Sequence, residues 1–217
     1  MIRKYLLPCY LAFLLVGCAS VPPQPVTDES HDLWQQQQQL LRTLLDWHIR
    51  GRVALFVNNE VYNLGMSWLR SDQHHSIKLE AALGQGVFLL EKTPGHALMT
   101  TSEGESYSGN NAEQLLQQVT RLTLPVEGLQ SWIKGLAHQD SNYLPDIDAN
   151  GLVRSLQQDG WRINYFDYQP TTIAKGQYDL PHKLYLKRDN IALKIVIDQW
   201  AVQKTGSSSP LFSDFPE

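Results

Sequence analysis

Leu15, Val16, Gly17 and Cys18 form the stretch of this sequence with the most definite chemistry. Leucine, a small residue, glycine and cysteine in that order match the bacterial lipobox, where a peptidase cuts before the cysteine and its thiol is diacylated. The context agrees. Arg3 and Lys4 supply a positive start, and the apolar run from Tyr5 to Gly17 follows. That run falls short of the ~20 residues a membrane span requires and fits the apolar region of a signal peptide. Residues 1–17 are therefore expected to be removed, leaving Cys18 as a lipidated N-terminus. An ordinary secretory signal with a chance cysteine is the competing reading. On the lipobox reading Cys9 leaves with the signal and Cys18 becomes a thioether, so the mature chain holds no disulfide and no cysteine metal site. Ala19, in place of a retaining Asp, directs the protein to the outer membrane.

Other candidate chemistry is thin. Residues 146–151, Asp-Ile-Asp-Ala-Asn-Gly, imitate the start of a calcium loop, but the twelfth position, where a bidentate Glu is needed, is Gln157. Asn150-Gly151 reads as a hairpin turn instead. His74 and His75 are adjacent, whereas ligands on one strand face are spaced by two; both read as residues of a solvated turn. Gly84-Gln85-Gly86 lacks the remainder of a dinucleotide fingerprint. Glu91, Glu103 and Glu105 read as a solvated face. No nucleophile sits with a base, so no catalytic residue, metal or cofactor is assigned and the protein reads as a non-enzyme. Without Arg3 and Lys4 the chain keeps 16 basic against 22 acidic side chains, a net charge near −6. That is no footprint for nucleic acid, and membrane attachment should rest on acyl chains.

The elements that position these residues follow from periodicity. Residues 18–32 are rich in Pro and polar residues and read as a tether, residues 33–203 as one domain, and residues 204–217 as a polar tail. Leucines at helical spacing predict a helix from about Leu33 to Asp46. The period then becomes two: Tyr62, Leu64, Met66 and Trp68 share one face, as do Ile77, Leu79 and Ala81. Asn-capped residues 110–121 and a segment from Pro125 to Gly135 predict two short helices. Alternation returns in residues 151–158, 161–169, 182–188 and 191–202. The expected architecture is mainly β: an antiparallel meander of roughly 9–11 strands, strongly curved, with about three helices over one face.

Six tryptophans suit a packed core, yet a curved sheet of this size can also enclose a ligand cavity. Leu83 poses a second question. It lies in the connection "EAALGQG", where a polar turn is expected. Either it folds back onto the sheet, or its apolar surface meets something apolar.

The order of features resembles the LolB family, outer-membrane lipoproteins that receive other lipoproteins from the periplasmic carrier LolA and insert them into the outer membrane. The stretches that carry the likeness are "RGRVAL" (50–55), "LGQGVFLLE" (83–91), "YSGNNAEQLL" (107–116), "LPVEGLQSWIKGL" (124–136), "DGWRINYFDYQ" (159–169), "LPHKLYL" (180–186) and "LKIVIDQWAV" (193–202). The resemblance implies an unclosed antiparallel β-barrel with helices as a lid over an apolar cavity. It further implies a LolA-like carrier, lipoprotein acyl chains and outer-membrane lipid as partners, and a lipid-anchored monomer facing the periplasm of a Gram-negative bacterium. Leu83 is then the apolar tip of a membrane-insertion loop. Met66, Trp68, Phe88, Leu90 and Trp132, on apolar faces of strands or the lid helix, are the expected cavity lining. The alternative is a structural or assembly lipoprotein with a packed core and no lipid cavity.

Overall fold

The computed structural model describes residues 25–81, 86–139, 141–173 and 176–201. Its elements are α1 (Asp28–Arg42), β1 (Trp47–Val57), β2 (Glu60–Ser71), β3 (His74–Ala81), β4 (Val87–Thr93), β5 (His96–Thr101) and β6 (Ser106–Gly109). Helices α2 (Ala112–Thr120) and α3 (Val126–Trp132) follow, then β7 (Tyr143–Ile147), β8 (Val153–Gln158), β9 (Trp161–Ile173), β10 (Gly176–Arg188) and β11 (Ile191–Ala201). All strands join one antiparallel sheet in the order β6-β5-β4-β3-β2-β1-β11-β10-β9-β8-β7. Two meanders meet where β1 pairs with β11. The outer strands β6 and β7 do not pair with each other, so the barrel is unclosed, and α2 and α3 connect them in sequence.

Local sequence explains most turns. Asn58 and Asn59 join β1 to β2 with φ of 50° and 67°, the left-handed pair of a tight hairpin that Asn tolerates. In β1 the register shifts between Arg50 and Gly51. The extra residue is Asp198 of β11, and a Cβ on Gly51 would lie 2.1 Å from the Val196 carbonyl oxygen, so only glycine lets β1 approach the bulged β11. The calcium-like stretch is a turn: Asp148 Oδ1 accepts from the N–H groups of Asn150 and Leu152. Gly151 has a φ of 74°, and a Cβ there would meet the backbone of Leu33 and Trp34 in α1.

Three expectations are corrected. Helix α1 starts at Asp28, not Leu33, inside the stretch read as tether. Thr27 caps it: its hydroxyl accepts from the Ser30 N–H, and the Ser30 hydroxyl accepts from the Thr27 N–H. The helix also ends four residues early, at Arg42, because Trp47 and Ile49 enter β1 as wholly buried side chains. The hairpin of β9 and β10 runs on through Pro170 and Pro181. There β9 has left β8, which it pairs only to Asn164, and β10 has not yet reached β11, which it joins at Lys183. A strand with a neighbour on one side only is where proline is tolerated. Finally, His75 is no turn residue. It is 3% exposed in β3, and only His74 stays half-exposed.

The core has two sectors. Around β8 to β11, Leu156, Ile163, Leu180, Leu184 and Leu186 are at most 2% exposed and α1 closes over them, its Ser30 hydroxyl donating to the Ala149 carbonyl. At the seam, Trp47 meets Trp68 and Trp200 edge-on at 5.3 and 5.9 Å, the geometry that aromatic quadrupoles favour. The sector under β1 to β5 is packed differently.

Candidate functional site: an apolar cavity beneath two helices

The inward positions of β1 to β5 form rows across the sheet. Gly51, Met66, Leu79, Phe88 and Thr101 are register partners in one row, and Ile49, Trp68, Ile77, Leu90 and Met99 in the next. Strand alternation puts every apolar member on the concave side. Opposite them α2 presents Leu116, and α3 and the residue pair before it present Leu124, Val126 and Leu129. Helix α2 exists locally because the Asn111 side chain accepts from the Gln114 N–H at 3.0 Å, and α3 starts directly after Pro125.

Between these surfaces lies a cavity of about 110 Å³ lined by sixteen side chains, all of them apolar. Such a space neither hydrogen-bonds water nor holds a charge. Phe88, 37% exposed, stands at its rim, while Met99 and Leu90 are buried at 1% and 5%. At the inner end the Trp68 indole N–H donates to His75 Nδ1 at 3.2 Å. Burial, first, and then Lys92, Arg70, His74 and Lys134 push the His75 pKa down to about 3, so the ring is a neutral acceptor at neutral pH.

The helices are held unequally. At the end of α3 the Trp132 indole donates to Gln158 Oε1 at 2.8 Å, and Lys134 Nζ donates to the Leu44 carbonyl at 3.2 Å, both in buried surroundings. At its start, Glu127 forms an ion pair with Lys92 at 2.6 Å that is partly open to water.

Of the expected lining residues, the cavity brings together Met66, Trp68, Phe88 and Leu90. Trp132 does not line it. It is 0% exposed and packs on Trp161 at 6.1 Å. Helix α3 advances ~1.5 Å per residue, so its last residue sits over different strands from its first. Leu55, Met99 and Leu124 were not singled out by sequence, although the same alternation that marked Met66 could have found the first two, and Leu64, placed on the face of Met66, was not counted among the lining. Cys18 and Leu83 lie outside the described residues. Among the described residues no cluster of three His, Cys, Asp or Glu side chains is arranged to hold a metal ion, and no helix is long and apolar enough to cross a membrane.

A family model for outer membrane lipoprotein LolB matches residues 45–200, the whole of the sheet but for its last residue. The chain belongs to the LolB family. A LolB from Psychromonas ingrahamii is 31% identical over 208 residues, covering 93% of this chain and 98% of that protein. A LolB from Ectopseudomonas mendocina is 29% identical over 205 residues, covering 94% and 98%. Both are named outer-membrane lipoproteins. Among solved structures, a DUF1329 family protein from Desulfovibrio piger covers 84% of this chain and 95% of its own, with a TM-score of 0.50 at 9% identity, a likeness of fold alone. The expected mainly β fold, an unclosed antiparallel barrel of roughly 9–11 strands with about three helices, is observed, with 11 strands and three helices among the described residues.

Proposed function

We propose that the protein accepts lipoproteins from a LolA-like periplasmic carrier, shelters their acyl chains beneath α2 and α3, and inserts them into the outer membrane. The observation that carries this reading is the wholly apolar cavity roofed by two helices. Membership of the LolB family supports it. No covalent change is required. Without a nucleotide, transfer runs down a gradient of affinity, and each methylene moved into apolar contact contributes ~0.8 kcal/mol. A few methylenes therefore set the direction, since ~1.4 kcal/mol is a factor of ten.

At about 110 Å³ the cavity is smaller than the ~300 Å³ or more typical of ligand pockets. An acyl chain therefore enters by displacing the helices. The start of α3, whose polar contacts through Glu127 are only partly buried, is the end that moves, and the end anchored on Gln158 stays. On this reading Cys18 supplies the lipid anchor and Leu83 meets the bilayer as chains leave.

A fluorescent fatty acid tests the cavity, and transfer of an acylated lipoprotein from the carrier tests the role. Uptake that is lost on substituting Leu90→Glu in a folded protein supports the proposal. Absence of uptake in the unmodified protein would favour a packed assembly module instead.

A further inference from the structure

A second concave feature shares no residue with the apolar cavity. It is a pocket of about 270 Å³ between the end of α1, β2 and the turn after α3, and Arg42, Arg70 and Lys134 all line it. The Arg70 guanidinium donates to the Leu45 carbonyl, and Lys134 Nζ donates to the Leu44 carbonyl. An ammonium has three N–H donors, so the lysine has capacity left, and Arg42 is exposed at the helix end. Among the described residues none of the three cations has a carboxylate in ion-pair range.

This arrangement is unfavourable as it stands. Lys134 is only 8% exposed. Burial, and after it the positive charge of Arg70, pull its pKa down to about 8. A buried cation is ordinarily paired. Here the neighbour is a second cation, in a chain whose overall charge is negative. Among the described residues backbone carbonyls, not carboxylates, answer these cations, which leaves the pocket with room for an anion.

We propose that this pocket binds a phosphate group, either a phospholipid head group or free inorganic phosphate. Two guanidinium groups offer planar forks that match phosphate oxygens, and the lysine adds a point charge. Gln130 and Ser131 on the pocket wall supply further polar contacts. The site stands apart from the acyl-chain reading, because the two spaces have no residue in common.

The test is calorimetric titration of the full chain in detergent with inorganic phosphate, with glycerophosphoglycerol (the deacylated head group of a phospholipid) and with hexaglutamate. Binding of glycerophosphoglycerol assigns the pocket to lipid, and binding of inorganic phosphate alone assigns it to the free anion. In either case Arg70→Gln and Arg42→Gln should each weaken binding about tenfold. Arg42 is exposed, so its variant keeps the fold and the test remains decisive even if the Arg70 variant is unstable. Failure of both phosphate compounds to bind, binding unchanged in the Arg42 variant, or tighter binding of hexaglutamate than of either phosphate would overturn the proposal.

Discussion

If the cavity is an acyl-binding space, filling it should strengthen the fold and abolish uptake. Leu129→Trp is the informative change: Leu129 lies on α3, half-buried, and faces the cavity. An empty apolar volume costs ~24 cal/mol per Å³, so a cavity of about 110 Å³ withholds up to ~2.6 kcal/mol from stability. An indole that occupies about half of it would recover ~1 kcal/mol. For a domain of this size that raises Tm by ~2–4 °C. A melting curve read beside fatty-acid uptake measures both effects in one preparation. A higher Tm with uptake unchanged would place acyl binding elsewhere. A lower Tm with uptake unchanged would mean that the space is already filled and the reasoning is wrong.

The remaining predictions concern the lid, the buried histidine and Leu83. Glu127→Gln breaks the partly exposed pair with Lys92, worth ~0.2–1 kcal/mol, and should speed fatty-acid uptake up to ~fivefold with little change in Tm; an unaltered stopped-flow rate would show that the start of α3 is not the moving end. His75 has a native pKa near 3 against 6.5 for the free side chain, so the unfolded chain binds the extra proton between those values. Its contribution is complete above about pH 6.5 and is lost as pH falls toward 3. His75→Gln, which keeps an acceptor for the Trp68 indole, should flatten that limb of urea midpoint against pH, and identical slopes would refute it. Leu83→Glu should leave Tm and receipt from the carrier near normal and impair insertion into outer-membrane vesicles. A large drop in Tm would make Leu83 a core residue.

What could be read without a structure was whatever a few neighbouring residues decide. Alternation along Tyr62, Leu64, Met66 and Trp68 assigned a strand and its inward face, because side-chain direction in a strand depends on position alone. Asn111 and Pro125 marked the starts of α2 and α3, because capping and proline geometry act within one turn. Four of the five expected lining residues reach the cavity for the same reason. The misses are of two kinds. The start of α1 was legible in Thr27 and Ser30 and was hidden by a polar, proline-rich composition that resembled a tether. The others depend on residues far apart in the chain. His75 is buried in β3 against Trp68, whose indole donates to its ring. Trp132 belongs to the packed sector because Gln158 and Trp161 come to the end of α3. The strands run through Pro170 and Pro181 because the pairing of β9 with β8 and of β10 with β11 ends before them. The sequence by itself determined most of the elements and their apolar faces, since these are local patterns. Only the tertiary structure decided that the faces under α2 and α3 leave a space, because volume between elements is set by how distant side chains interlock.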